Sequence, residues 1–264
     1  MLKTQSLTIN ASRFIERATS FITAQLERSN LKGLIVCLSG GLDSSVTLAL
    51  CVKALGGENV IALNMPERGV TPEEDVRDAV TLADELNVRC DIIEITPIMD
   101  VMQSILPLYD PRDLIATGNL KPRIRMTIAY HYANSLKLLV VGSSDKTELL
   151  LGYFTKYGDG ACDIMPIGDL YKTQVRQLAG YLGIPPRIID KAPSARLWPG
   201  QISEVELGMK FEQLDMILYG WEMGLKPSEI ASELNIELER VEGVLERVRL
   251  NEHKRRLPLI LKLS

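Results

Sequence analysis

Residues 34–44 read Leu34-Ile35-Val36-Cys37-Leu38-Ser39-Gly40-Gly41-Leu42-Asp43-Ser44, and the order of residue types in this stretch decides the fold. Five apolar residues in a row, two of them β-branched, have the unbroken hydrophobicity of a strand buried on both faces. A glycine-rich turn follows at once. Val46, Leu48, Ala49, Cys51, Val52 and Leu55 then recur with a helical period until Gly56-Gly57 stops it. Strand, loop and helix in direct succession open a parallel sheet, and such sheets bind ligands beyond the carboxyl ends of their strands.

The alternation extends in both directions. Phe14, Ile15, Ala18, Phe21, Ile22 and Leu26 predict an amphipathic helix over residues 11–30 with Asn10 as its N-cap. Downstream, 60–64 reads as a strand, 72–87 as a helix, 91–95 as a strand, 119–136 as a helix and 138–142 as a strand. The pattern is that of an open parallel sheet with helices on both faces, a Rossmann-like α/β fold. Residues 152–170 hold four glycines and no sustained period, and a loop of that length inside a domain commonly serves function. Helical segments at 171–182, 204–220, 227–234 and 237–252 form a C-terminal extension, with Leu214, Ile217, Leu218 and Trp221 assigned to core or interface. One domain is expected over residues 1–264.

Composition narrows the class. With 46% hydrophobic and 24% charged residues among 264, the chain is neither disordered, collagen-like nor of low complexity. Thirty Lys and Arg against 34 Asp and Glu give a formal charge of −4, the wrong sign for a non-specific binder of nucleic acid or anionic membranes, so no nucleic-acid partner is expected. The longest uncharged run is Met126–Leu136, well short of the roughly 20 apolar residues that span a bilayer, and MLKTQSLTIN lacks an apolar signal region; a cytoplasmic location is expected. Cys37, Cys51, Cys90 and Cys162 form no C-x-x-C pair and there are only two histidines, so neither a zinc site nor a disulfide framework is indicated.

The chemistry concentrates in Ser39-Gly40-Gly41-Leu42-Asp43-Ser44. Two glycines let backbone N–H groups approach an anion, Ser39 and Ser44 add hydroxyls, and a helix N-terminus adds the positive end of its dipole. The string is neither G-x-x-x-x-G-K-[ST] nor G-x-G-x-x-G. Asp43 within a phosphate cradle calls for a cation between carboxylate and phosphate, and Mg²⁺ favours that combination of oxygens.

This S-G-G-x-D-S signature resembles the ATP pyrophosphatase superfamily. Asn119–Met126 (NLKPRIRM), Val140–Glu148 (VVGSSDKTE), Gly152–Gly160 (GYFTKYGDG) and Asn251–Arg256 (NEHKRR) are further similar, in order and spacing, to the ammonia-dependent NAD synthetases, a likeness running from about residue 11 to the end. It implies an adenine nucleotide alpha hydrolase-like fold. It implies ATP bound by Cys37, Leu38, Ser39, Gly40, Gly41, Leu42, Asp43, Ser44, Ser143, Lys172 and Ser194, with Ser194 where Thr is usual. Mg²⁺ would sit on Asp43 and Glu148, and deamido-NAD on Arg123, Lys156, Asp163, His253 and Lys254. Asp43 and Lys172 take the catalytic roles: the metal offsets phosphate charge and the lysine stabilises departing pyrophosphate. The implied reaction adenylates the carboxylate of deamido-NAD, and ammonia then displaces AMP. The implied assembly is a homodimer with the dinucleotide site near the interface.

Arg125 and Lys137 read as solvated helix-surface charges. Gln201-Ile202-Ser203-Glu204 keeps one carboxylate where the family often has an Asp-Glu pair, and Arg196, Leu197 and Trp198 depart from the usual forms. About 38 residues before the loop leave no room for a glutamine-hydrolysing domain, so ammonia is expected to be used directly. Two other classes compete. Residues 227–248 imitate a helix-turn-helix, but 237–250 carry four Glu and three Arg, too acidic for a recognition helix. A sulfur-inserting ATP pyrophosphatase needs a nucleophilic cysteine, for which Cys162 in the long loop is the candidate.

Overall fold

Strand β1 (Gly33–Cys37) is flanked on one side by β2 (Val60–Asn64) and on the other by β4 (Leu138–Val141), and β3 (Arg89–Ile92) extends the sheet beyond β2. All pairings are parallel, in the order β3-β2-β1-β4, with Leu34 opposite both Val60 and Leu139. The structure is a computed structural model describing Leu2 and residues 4–263. The period of two along β1 divides its fully buried side chains between two cores. Leu34 and Val36 join α1 (Ala11–Ser29), α2 (Leu42–Leu55) and α3 (Glu73–Glu85) on one face. Ile35 joins α4 (Thr96–Ile105) and α5 (Leu114–Leu136) on the other. Helices therefore cover both faces, as the alternating pattern predicts.

The chain runs outward from β1 to β3 and then returns to place β4 on the far side of β1. That reversal opens a crevice at the carboxyl ends of β1 and β4. Beyond β4 come α6 (Lys146–Leu151), α7 (Lys172–Leu182) and α8 (Pro186–Ile189), then α9 (Ser203–Leu207), α10 (Phe211–Glu222), α11 (Pro227–Leu234) and α12 (Leu238–Leu250). The last helices build their own core around Phe211, Leu214, Ile217, Leu218, Ile230 and Val241, which is how the helix-turn-helix-like segment is used. Trp221 stands 41% exposed outside it.

Several boundaries differ from the sequence reading for identifiable reasons. The first helix is as expected, Asn10 accepting from the Arg13 amide at 3.0 Å. The third strand is Arg89–Ile92 rather than 91–95, because Ile61 pairs with Arg89; the apolar run Ile92-Ile93 misplaced it. Helix α5 begins at Leu114, not 119, capped by Asp113, which accepts from the Ala116 amide at 2.9 Å. The sequence reading assigns no helix to α4, which opens at Ile95 without a side-chain cap and keeps Val101 and Ile105 exposed. The segment 204–220 divides at Gly208, whose φ of 69° stops α9. Among the described residues no helix is long and apolar enough to cross a membrane.

Asp215 joins the two cores. Fully buried on α10, it accepts from the Thr147 hydroxyl of α6 at 2.5 Å and from the Thr173 amide of α7 at 2.8 Å. Asp215→Ala leaves both donors buried and unpaired, at a cost of about 3 kcal/mol. Thermal unfolding is expected to show a Tm lower by about 9 °C; an unchanged Tm would contradict the assigned junction.

Candidate active site

A cleft of about 460 Å³ opens at the carboxyl ends of the strands. Its floor is the turn from β1 into α2. Gly40 adopts φ 78°, and a Cβ there would lie 2.0 Å from the carbonyl oxygen of Asp75, so only glycine fits. Ser39 and Ser44 fasten the turn: their hydroxyls lie 3.1 Å apart, the Ser39 amide donates to Ser44 Oγ, and the Gly41 amide donates to Ser39 Oγ. The turn is thereby held open at the N-terminus of α2, which has no side-chain cap.

Facing the turn is a buried cation. Lys172, 1% exposed at the start of α7, directs its ammonium at Asp43 Oδ2 (2.6 Å), Asp145 Oδ2 (2.7 Å) and Glu148 Oε1 (2.8 Å). The Lys172 amide donates to Thr147 Oγ1, the same hydroxyl that binds Asp215, and its ammonium lies 5.1 Å from the centre of the Phe211 ring. Asp145 is the N-cap of α6 and accepts from the Glu148 amide at 2.8 Å. Burial pushes the Asp145 carboxyl up, to about 7, and raises Glu148 well above its usual range. Burial alone would lower Lys172, but the three carboxylates outweigh it and hold the ammonium charged. An oxygen from each of the three acids lies within 4.8 Å of the others, and Asp43 Oδ1 is buried with no hydrogen-bond partner among the described residues.

Of the residues assigned to ATP, Cys37, Leu38, Ser39, Gly41, Leu42, Asp43, Ser44, Ser143, Lys172 and Ser194 all line this cleft, with Gly40 buried in the turn beneath. Glu148 lines it too. The dinucleotide residues lie differently. Lys254 lines the cleft and donates to the Gly152 and Phe154 carbonyls at 2.7 and 3.1 Å. Arg123 sits outside on the surface and donates to the Lys156 carbonyl, while Lys156 Nζ donates to the carbonyl of the exposed His253 at 2.8 Å. Asp163 lies apart, bonded to the Val140 amide and the Tyr130 hydroxyl.

Some cleft residues were not identified from the sequence. Arg125 is not a solvated surface charge: its Nε donates to the Met65 carbonyl at 3.0 Å and it forms part of the cleft wall. Asp145 was legible in principle, since an Asp three residues before a Glu is a capping pattern. Asp75, Lys191 and Arg196 carry no local signal. Lys137 is exposed at the C-cap of α5, as read. Cys162 lines the cleft, but burial pushes its thiol up to about 12, and Cys37 is likewise raised, to about 11. Neither supplies the thiolate that sulfur insertion requires, and that alternative is not supported.

The family model for NAD synthase matches residues 14–258. A relative from Hyperthermus butylicus named NH(3)-dependent NAD(+) synthetase is 53% identical over 90% of this chain and 86% of its own length. Another of that name, from Methanocaldococcus jannaschii, is 49% identical over 92% and 94%. Among solved structures, an NMN synthetase from Francisella tularensis superposes with a TM-score of 0.83 at 32% identity, covering 97% of this chain and all of that one. An NH3-dependent NAD synthetase from Campylobacter jejuni, in complex with the nitrate ion, superposes at 0.81 with 31% identity and the same coverage. With a phosphate-type turn and buried charge cluster in the crevice and a family match over nearly all its length, the chain belongs to the NAD synthase family.

Proposed function

We propose that this protein acts in the cytoplasm as a single-domain ligase that amidates deamido-NAD with ammonia, consuming ATP and releasing AMP, pyrophosphate and NAD. The observation that carries the reading is the open turn at the N-terminus of α2 facing the ammonium of Lys172. The first amides of α2 have no partner within the helix and receive the phosphates of ATP. Lys172, whose ammonium is held by Asp43, Asp145 and Glu148, would supply positive charge where pyrophosphate departs once a cation draws those carboxylates away from it. Ser143 and Ser194, both lining the cleft, offer hydroxyls to the nucleotide. Lys254, with Arg123, Lys156 and His253 beyond the cleft, receives the dinucleotide, and Asp163 holds β4 at that edge.

A divalent cation fits the acidic trio. Three carboxylates against one ammonium leave a formal excess of negative charge, the ligands are hard oxygens, and Asp43 Oδ1 is a buried acceptor with no donor among the described residues. Asp43 and Glu148 would hold Mg²⁺ with Asp145 behind them, and the ion would neutralise charge on the phosphates. Asp43→Asn and Glu148→Gln are each expected to slow pyrophosphate release about 100-fold or more, read as labelled pyrophosphate in a single turnover. Wild-type rates in both would remove the metal assignment. Cys162→Ser is expected to retain activity.

The direct test incubates the protein with ATP, Mg²⁺, ammonium and deamido-NAD. NAD is expected, and none when ammonia-free glutamine replaces ammonium; equal rates would reveal a glutaminase site. Nicotinic acid mononucleotide runs in parallel, because the Francisella relative is named an NMN synthetase; NMN without NAD would reassign the substrate.

We also propose a homodimer. Val101, Ile105 and Ile115 on α4 and α5 are 55%, 61% and 70% exposed, and Ile115 also lines the cleft. Light scattering is expected to give twice the 29.4 kDa of the chain; the monomer mass at micromolar concentration would overturn the assignment.

A further inference from the structure

The phosphate turn is braced by a charge cluster in the cleft wall centred on Asp75, which has no part in the chemistry above. Asp75 stands in the first turn of α3, and its side chain is 5% exposed. Its Oδ1 accepts from Lys191 Nζ at 2.7 Å and its Oδ2 from Arg196 Nε at 2.9 Å. Lys191 also reaches the carbonyl of Gly40 at 3.0 Å and Asp78 Oδ2 at 2.6 Å. An ammonium has three N–H donors, and all three are engaged. Lys191 is therefore a brace, tying the turn to α3, and is not itself free to bind phosphate.

Arg196 differs. A guanidinium has five N–H donors, and here only Nε is bonded among the described residues, although the residue lines the cleft and its side chain is 31% exposed. Its backbone takes φ 51°, which a non-glycine residue adopts at a cost, and the Arg196 amide donates to Ser194 Oγ at 3.1 Å. The segment bearing Ser194 is thus bent to bring this arginine onto Asp75.

We propose that Asp75 is a positioning residue for the triphosphate of ATP. One of its oxygens fixes Lys191 against the carbonyl of Gly40, which sets the turn. The other holds Arg196 at the cleft with four donors left for phosphate oxygens. The inference rests on the reading of the cleft as an ATP site.

The test is titration calorimetry of the full chain with Mg²⁺ and ATP alone, alongside steady-state kinetics. Asp75→Asn and Lys191→Met are each expected to weaken ATP binding about tenfold, the loss of one charge-assisted hydrogen bond. The KM for ATP rises in step, while KM for deamido-NAD and ammonia stays within about twofold, a selectivity that a merely structural role does not produce. Arg196→Met is expected to weaken ATP about fivefold with an unchanged Tm, and Arg196→Lys to recover part of that loss. ATP affinity equal to wild type in Asp75→Asn overturns the proposal, as does a parallel loss of affinity for every substrate with a fall in Tm. Should Asp75→Asn not fold, Arg196→Met decides, and wild-type ATP affinity there overturns it. A protein that binds ATP as expected yet makes no NAD would refute the proposed reaction while leaving Asp75 in its role.

Discussion

The ammonium of Lys172 is the point on which the rest of the structure depends. Three separate stretches of chain meet there: α2 through Asp43, the start of α6 through its N-cap Asp145 and its first-turn Glu148, and α7 through the lysine itself. Removing charges from water is costly, and a buried ion cluster is tolerated only when its partners are fixed at hydrogen-bond distance. The fold meets that requirement with hydrogen bonds behind the charges. Asp145 is held by the Glu148 amide, and the start of α7 by Thr147 and Asp215.

The C-terminal helices follow from the same constraint. The sheet is covered by α1–α5 together with α7, whose Val175, Leu178 and Ala179 join the core on one face, while the start of α7 at Tyr171 packs into a second apolar body. Phe211 and Asp215 of α10 supply it, one under the ammonium and the other on the backbone of α7. What resembles a DNA-reading element in sequence is therefore packing for the charge centre: Ile230, Val241 and Val244 point into that core.

Much of this was legible because local chemistry announces it. The run Leu34–Leu38 followed by Gly40-Gly41 fixes a strand, a turn and a ligand site together, since a positive φ, a close backbone approach and a helix start all favour the same residues. Asp43, Glu148 and Lys172 are recognisable through family motifs, and the structure brings both carboxylates within 3 Å of the Lys172 ammonium, Asp43 from more than 120 residues away. What stayed hidden was long-range and non-periodic. Arg125 appears as one more polar position on a helix until the Met65 carbonyl faces it. Asp75 reads as an ordinary first-turn acid, and its bonds to Lys191 and Arg196, 116 and 121 residues away, leave no trace in spacing. The exposed apolar residues of α4 misled for the opposite reason, because periodicity reports burial within one chain and these residues are not buried there.

The two ends of the site are held by different kinds of acceptor, and this sets their electrostatic sign. At the α2 turn the cations are met by carboxylates: Lys172 by three acids, Lys191 by two. Acids are in excess around Lys172, so that end attracts a cation before it attracts phosphate. At the other end the cations rest on carbonyl oxygens, Arg123 on Lys156, Lys156 on His253, and Lys254 on Gly152 and Phe154. A carbonyl fixes a side chain without cancelling its charge. Burial lowers Lys254, the positive charges of Arg247 and Arg123 lower it further, and the Asp159 carboxylate opposes them without reversing the shift. A negatively charged group at that end meets cations resting on carbonyls, whereas an anion at the turn meets carboxylates beside the helix N-terminus.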